Sequence, residues 1–129
     1  MLRSVIPALM LASVVLPVLA QEAERYEVQG SEVTLILHGF LTEEETNFLR
    51  TIAQEPDALA LFLPEEGQFG AFAVSPDEGL IRDGVPVGSA MAIGDLPDLA
   101  QARNAALEGC DAARASGAPC EIVLEIAPR

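Results

Sequence analysis

The amino-acid sequence predicts an α+β fold: a small antiparallel or mixed three-stranded sheet with a C-terminal helix on one face and an additional N-terminal helix. Two observations favour this class. Apolar residues recur at helical spacing over 43–54 and 96–115, and shorter apolar runs near turn residues fall at 69–75, 86–93 and 119–126. The last four elements have the order strand-strand-helix-strand (β-β-α-β). A hairpin followed by a right-handed crossover through the helix places the strand at 119–126 beside the strand at 69–75.

Residues 1–20 have the organisation of an export signal. A short basic start precedes an apolar middle, and the small residues Val18 and Ala20 occupy the minus-three and minus-one positions of a cleavage site. The apolar run is shorter than the roughly 20 residues that a transmembrane helix requires, and it contains Pro7 and Pro17. We therefore expect a cleaved signal peptide, a periplasmic or secreted protein, and no stable membrane insertion after cleavage.

The charge of the chain argues against several partners and excludes one class of enzyme. Twenty acidic residues and seven arginines give a net charge of −13, and all the acids follow residue 20. A chain this acidic repels phosphate backbones and anionic lipids, so we expect no nucleic-acid binding. The same charge favours basic partners and solubility. Because the chain has no lysine, it cannot form a Schiff base with pyridoxal phosphate, and no cofactor is expected.

Residues 21–41 precede the predicted domain, which we place at residues 42–129. The polar stretch 21–32 is expected to be a loose lead-in. Apolar residues then alternate with others over 33–38, which predicts a short strand or extended segment.

The helix predicted over 43–54 has the clearest beginning in the chain. Thr42 and Glu45 have the spacing of a capping box, and the helix is expected to end before Pro56, because the residue preceding proline avoids helical geometry. Residues 57–67 form either a further helical turn or a strand, and periodicity does not decide between them. The apolar face of the helix contains Phe48, Leu49, Ile52 and Ala53.

Two strands are predicted between the helices. The first, at 69–75, leads into the turn sequence Ser75-Pro76-Asp77-Glu78-Gly79. The second covers 86–93, and Gly88 and Ala90 predict that another part of the chain packs closely there.

The C-terminal helix and strand are predicted from opposite periodicities. The helix is expected to be capped by Asp95 and to end by Gly117, with a narrow apolar stripe whose alanines permit close approach to a sheet. That stripe contains Leu99, Ala102, Ala106, Cys110 and Ala113. The strand alternates, which places Cys120, Ile122, Leu124 and Ile126 together on one face and Glu121, Val123 and Glu125 on the other.

Cys110 and Cys120 are the only cysteines in the chain, and both are predicted to face the gap between the last helix and the last strand. In an oxidising compartment such a pair forms a structural disulfide, which stabilises a small domain by about 3 kcal/mol. A metal site requires more ligands than two thiols, and a redox pair of the C-x-x-C type requires closer spacing.

His38-Gly39 resembles the strand end that precedes the oxyanion loop of a lipase, but the remaining parts of a hydrolase are missing. No serine lies in a G-x-S-x-G sequence, and the single histidine cannot serve both in that loop and as the catalytic base. We therefore predict no catalytic residue, and expect His38 to end a strand and border a turn.

Carboxylates are frequent, but capping or solvation explains each group of them. The groups are the acids at 43–45, the pair Asp95 and Asp98, and the acids of the 77–83 turn. The chain has neither an EF-hand loop nor a glycine-rich phosphate loop, so no metal site is predicted. Weak divalent-cation binding by the 77–83 turn stays an alternative.

Three sequence blocks resemble a family of small exported bacterial proteins of unknown function. The blocks are "FGAFAVSPDEG", "GSAMAIG" and "AALEGCDAARASGAPCEIVLEIAPR", and they match a pattern YGAxAxSPDEG, AALxxC and PCxxV over residues 42–129. The chain departs from that pattern at Phe69 and in the additional "DALALFLPEE". Some members of the family carry an aminolevulinate synthase name, which implies pyridoxal phosphate and a lysine. We treat that name as a misassignment, and the resemblance implies no catalytic residues.

The function expected from the sequence is that of a non-catalytic exported protein that binds another protein or a small ligand. A small enzyme that uses carboxylates is the main alternative. A cleft lined by two or more acids near His38, with strongly shifted titration, favours the enzyme. The most informative further observation is whether the sheet face away from the last helix carries an apolar patch or a cleft.

Overall fold

A computed structural model of the chain describes residues 22–62 and 68–129. The expected export signal at 1–20 lies outside the described residues, as does the end of the undecided 57–67 segment. Among the described residues, no helix has both the length and the apolar character needed to span a membrane.

The described residues form an α+β fold with a five-stranded antiparallel main sheet of order β1-β2-β7-β3-β6, a two-stranded ribbon of β4 and β5, and three helices. The elements are β1 (Glu22–Val28), β2 (Ser31–Leu37), α1 (Glu43–Gln54), α2 (Pro56–Phe62), β3 (Phe69–Val74), β4 (Ile81–Arg82), β5 (Val85–Pro86), β6 (Met91–Leu96), α3 (Leu99–Ala113) and β7 (Glu121–Pro128).

The predicted three-stranded sheet is wrong, because β1 and β2 also belong to the main sheet. They form a hairpin whose two-residue turn, Gln29-Gly30, has positive φ at both positions, 45° and 79°. Such a turn matches the twist of antiparallel strands. The described part of the expected loose lead-in, residues 22–32, therefore forms β1, the turn and the start of β2. Its polarity reflects an edge strand, in which Tyr26 and Val28 pack on the core while the intervening residues face outward.

The position of β7 explains how the hairpin joins the sheet. β7 pairs with β3, as expected from the crossover, and its other edge pairs with β2. The last strand of the chain therefore lies at the centre of the main sheet, and each half of the sheet depends on it.

A β-bulge in β7 corrects the predicted alternation of this strand. The register against β3 shifts by one position, which leaves Val123 as an extra residue. Cys120 and Ile122 consequently pack on the α3 side of the sheet, whereas Leu124 and Ile126 pack on the opposite side. The prediction that these four residues share one face is wrong, because one inserted residue reverses the direction of all side chains after it.

The two faces of the main sheet carry different cores. Small residues form the α3-side cluster, and α1 and α2 cover the larger α1-side cluster. The α3-side cluster contains Ala71, Ala73, Ala102, Ala106, Cys110 and Cys120. The α1-side cluster contains Val33, Leu35, Leu49, Ile52, Ala53, Leu59, Phe72, Val74, Leu80, Val123, Leu124 and Ile126.

Both predicted helices are confirmed, although the cap of the second one differs. α1 begins at Glu43 with the predicted capping box of Thr42 and Glu45. α3 begins at Leu99, because Asp98 accepts a hydrogen bond from the backbone N–H of Gln101 at 2.8 Å. The predicted cap Asp95 instead lies in the bulged end of β6, with φ of 61°.

The predicted strand at 86–93 is divided between two elements. Val85–Pro86 belongs to the ribbon, and β6 begins only at Met91. Gly88 is exposed, and a Cβ atom added there would meet nothing within 4 Å, so the expected close packing at Gly88 is wrong. The close contact lies at Gly109 of α3, where a Cβ would stand 2.9 Å from Cγ of Met91.

Candidate functional site

An apolar cleft opens on the α1 side of the main sheet, which is the face away from α3. Its volume is about 230 Å³, and its wall combines α1, the sheet, and the segment that runs from the ribbon to β6. The lining residues are Phe48, Phe72, Leu80, Pro86, Val87, Ala90 and Ala92. We call this site the apolar cleft.

The cleft exists because large and small side chains meet there. Phe72 of β3 and Leu80 form a buried floor, while Ala90 and Ala92 are too small to fill the space beside it. Phe48 was predicted on the apolar face of α1, but it is 39% exposed and stands at the cleft instead of packing fully into the core. A partly solvent-exposed aromatic ring beside an apolar cavity is typical of a binding site.

Ser89 adds a polar group to the same segment. Its side chain is 2% exposed, and among the described residues its hydroxyl has no hydrogen-bond partner. Ser89 stands between Val87 and Ala90, which both line the cleft. A buried hydroxyl without a partner is costly, so this segment holds unused hydrogen-bonding capacity next to the cleft.

Three exposed acids belong to elements that contribute to the cleft. Glu44 precedes Phe48 by one turn of α1, Asp83 lies in the turn of the ribbon, and Asp95 is the last residue but one of β6. The guanidinium of Arg82, in the ribbon, donates hydrogen bonds to the carbonyl oxygens of Asp77 and Glu78. The electrostatic environment therefore favours a cationic group over an anionic one.

Glu45 fixes one wall of the cleft in place. Its side chain is 2% exposed, and its carboxylate accepts hydrogen bonds from the backbone N–H groups of Thr42 (3.0 Å), Ile81 (2.9 Å) and Leu80. Burial raises the pKa of Glu45, but the three N–H groups outweigh it and hold the pKa below its ordinary value. The capping residue of α1 thus also anchors the segment after the 75–79 turn, which the sequence pattern did not predict.

Two acids of the turn at 77–83 form hydrogen bonds with the loop that follows α3. Asp77 accepts one from the backbone N–H of Ala118 at 2.7 Å, and Glu78 accepts one from that of Ala115 at 3.1 Å. Among the described residues, no group of three or more His, Cys, Asp or Glu side chains is arranged to hold a metal ion. Asp77 and Glu78 therefore have structural partners.

The predicted disulfide between Cys110 and Cys120 is present, with the two Cα atoms 6.1 Å apart. Both cysteines are buried in the α3-side cluster, so the bond lies on the opposite side of the sheet from the cleft. Asp111 supports it by accepting hydrogen bonds from the N–H of Cys120 and the guanidinium of Arg114, which together lower the pKa of that carboxyl. The disulfide is structural and takes no part in the cleft.

His38 follows β2 and borders a turn, as predicted. Its Nε2 lies 2.6 Å from the carbonyl oxygen of Ile122, and its ring stacks on Phe40 with the centroids 5.0 Å apart. His38 does not line the apolar cleft, and neither does any carboxylate. The apolar cleft is therefore not the acid-lined cleft near His38 that would favour an enzyme.

Comparisons of the chain with protein-family models, with curated proteins and with solved structures yield no match. The functional conclusion consequently depends on the geometry of the cleft.

Proposed function

We propose that this protein is an exported, non-catalytic binding protein that holds an apolar group of its ligand or partner in the apolar cleft. The observation that carries the proposal is the partly exposed ring of Phe48 beside a cleft lined by apolar residues. A lining of this kind supplies contact area and excludes water, and it offers no acid or base to a reacting group.

Export is supported by two features of the chain. Residues 1–20 have the pattern of a signal peptide, and the Cys110–Cys120 disulfide is compatible with an oxidising compartment. The resemblance to small exported bacterial proteins of unknown function agrees with this location and stays a prediction.

Binding of a neutral fluorescent probe, N-phenyl-1-naphthylamine, tests the proposal. A neutral probe avoids repulsion by the acidic surroundings, and its emission rises when it leaves water. We expect saturable binding, and we expect Phe48→Ala to weaken it about tenfold, because the substitution removes one wall.

Leu61→Ala is the matched control for that experiment. Leu61 is 83% exposed and does not line the cleft, so its removal deletes a large exposed apolar side chain and leaves the site intact. If this control binds the probe as tightly as the original protein does, the probe binds in the cleft and not to exposed apolar side chains in general. An equal loss of binding in both variants, or no saturable binding by the original protein, refutes the proposal.

A further inference from the structure

We infer that the outer edge of β6, the last strand of the main sheet among the described residues, accepts an extended basic segment of a partner protein, which pairs with β6 as an added strand and places an apolar side chain in the apolar cleft. This inference rests on the proposed function, and it specifies the partner of the same site. It is supported by the difference between the two edges of the main sheet, by the alternation of β6, and by the charge around the cleft.

The two edges of the main sheet are protected to different degrees. β1 carries four charged residues among its seven, Glu22, Glu24, Arg25 and Glu27, and charges on an edge strand prevent pairing with other chains. β6 carries a single charge, Asp95, within its bulged end. The stretch Met91–Ile93 therefore presents an edge without charged side chains.

Among the described residues, β6 pairs with β3 on one side and with no strand on the other. None of its six residues is buried, whereas five of the six residues of β3 are. Within the described residues β6 is thus the outermost strand on its side of the main sheet, and a further strand there would lie at the usual spacing of about 4.8 Å.

The alternation of β6 directs such a strand towards the cleft. Ala90 and Ala92 line the cleft, while Met91 and Ile93 pack against the α3-side cluster. Side chains of neighbouring strands align in pairs on each face, so every second residue of an added strand stands next to Ala90 or Ala92. The small alanines leave space for a larger apolar side chain at that point.

Charge determines which segment fits. The exposed acids Glu44, Asp83 and Asp95 belong to elements that contribute to or adjoin the cleft, and the chain has a net charge of −13. Arginine or lysine between the apolar residues of the incoming strand complements this field, while acidic residues are repelled. The partner segment is therefore extended, basic, and apolar at alternate positions.

A synthetic peptide in which arginines alternate with valines and leucines tests the inference, with its affinity measured by fluorescence anisotropy. Three control peptides share its length: one has glutamate for arginine, one has the same residues in an order without alternation, and one has N-methylated amides at every residue. We expect the alternating basic peptide to bind most tightly. N-methylation should weaken it at least about tenfold, because the methylated amides no longer donate to the edge of β6.

Nuclear magnetic resonance locates the peptide on the protein. We expect the backbone amides of Met91, Ala92 and Ile93 to shift and to gain protection from hydrogen exchange, while those of β1 stay unchanged. Equal binding of the N-methylated or the non-alternating peptide overturns strand addition, as does protection at β1 in place of β6.

The two proposals fail in distinguishable ways. If the neutral probe binds and the peptide does not, strand addition is wrong and the cleft keeps its binding function. If neither binds, both proposals are wrong. Phe48→Ala should lower the affinity for the basic peptide and Leu61→Ala should not, because Phe48 lines the cleft and Leu61 does not.

Discussion

At the scale of single residues, Glu45 joins two parts of the chain that are distant in sequence. One carboxylate oxygen completes the capping box of α1, and the other accepts the N–H groups of Leu80 and Ile81. A buried carboxylate is tolerated because three backbone donors replace its water. The same side chain consequently sets the helix start and the position of Leu80 in the cleft.

We predict that Glu45→Gln lowers the free energy of unfolding by about 3 kcal/mol, because the amide turns a donor towards backbone N–H groups that need an acceptor. Urea denaturation measures the loss. Glu44→Gln is the control, since this neighbour lies in the same first turn and is exposed. The control should change stability by less than about 1 kcal/mol. Similar losses in both variants would assign the effect to the helix dipole alone.

Because the pKa of Glu45 is lowered, we predict that the difference in unfolding free energy between the original protein and Glu45→Gln depends on pH. A carboxyl whose pKa is lower in the folded state contributes stability above its unfolded value, here the ordinary 4.5, and loses that contribution as the pH falls through the folded pKa. The stability difference between the original protein and Glu45→Gln should therefore be complete at pH 7 and shrink below about pH 4.5. A difference that stays constant down to pH 3 would contradict this account.

At the scale of elements, the connection between α3 and β7 depends on Gly117. Its φ is 102°, and a Cβ atom added there would overlap the carboxylate of Asp77, which accepts the N–H of Ala118. This loop therefore combines a backbone conformation that favours glycine with a hydrogen bond that its Ala118 N–H donates to Asp77 of the 75–79 turn. Both features lie within the segment that the Cys110–Cys120 disulfide closes.

We predict that Gly117→Ala lowers the free energy of unfolding by roughly 2–4 kcal/mol, from the unfavourable φ and the displaced Asp77 carboxylate. Gly88→Ala is the matched control, because Gly88 has open space around a Cβ and no positive φ. Its effect should stay within about 0.5 kcal/mol. Thermal denaturation of the two variants provides the comparison, and equal stabilities would show that the Asp77 contact is dispensable.

At the scale of the whole molecule, β1 and β2 are integral to the domain. Val33 and Leu35 of β2 are buried in the α1-side cluster, and Arg50 of α1 binds Glu24 of β1 with a closest distance of 2.7 Å. This guanidinium, together with a hydrogen bond from Tyr26, lowers the pKa of Glu24. The hairpin covers the edge of β7 that would otherwise stand open.

We predict that a truncated chain beginning at Thr42 does not unfold cooperatively, whereas a chain beginning at Gln21 does. The truncation removes the strand that pairs with β7 and exposes core residues such as Leu124 and Ile126. Circular dichroism during heating distinguishes the two chains. A cooperative transition of the shorter chain would show that residues 42–129 fold without the hairpin.

The candidate site was less predictable than the elements that surround it. Phe48 was placed on the apolar face of α1, and the pattern of that face gives no signal that one member lines a cleft. The small size of Ala90 predicts close packing by another part of the chain, whereas in the structure Ala90 lines the cleft. Glu45 was identified as a cap, and its second set of hydrogen bonds depends on residues more than thirty positions later.

The amino-acid sequence by itself determined α1 with its capping box, the body of α3, the turn after β3 and the cysteine pair. Each of these depends on residues close together in the chain, where spacing and side-chain chemistry suffice. Only the tertiary structure decided that a polar N-terminal stretch forms an edge strand, that Val123 bulges, and that a cleft opens beside β6. These features depend on which distant segments pair and on how their side chains pack together. Local periodicity predicts neither of these.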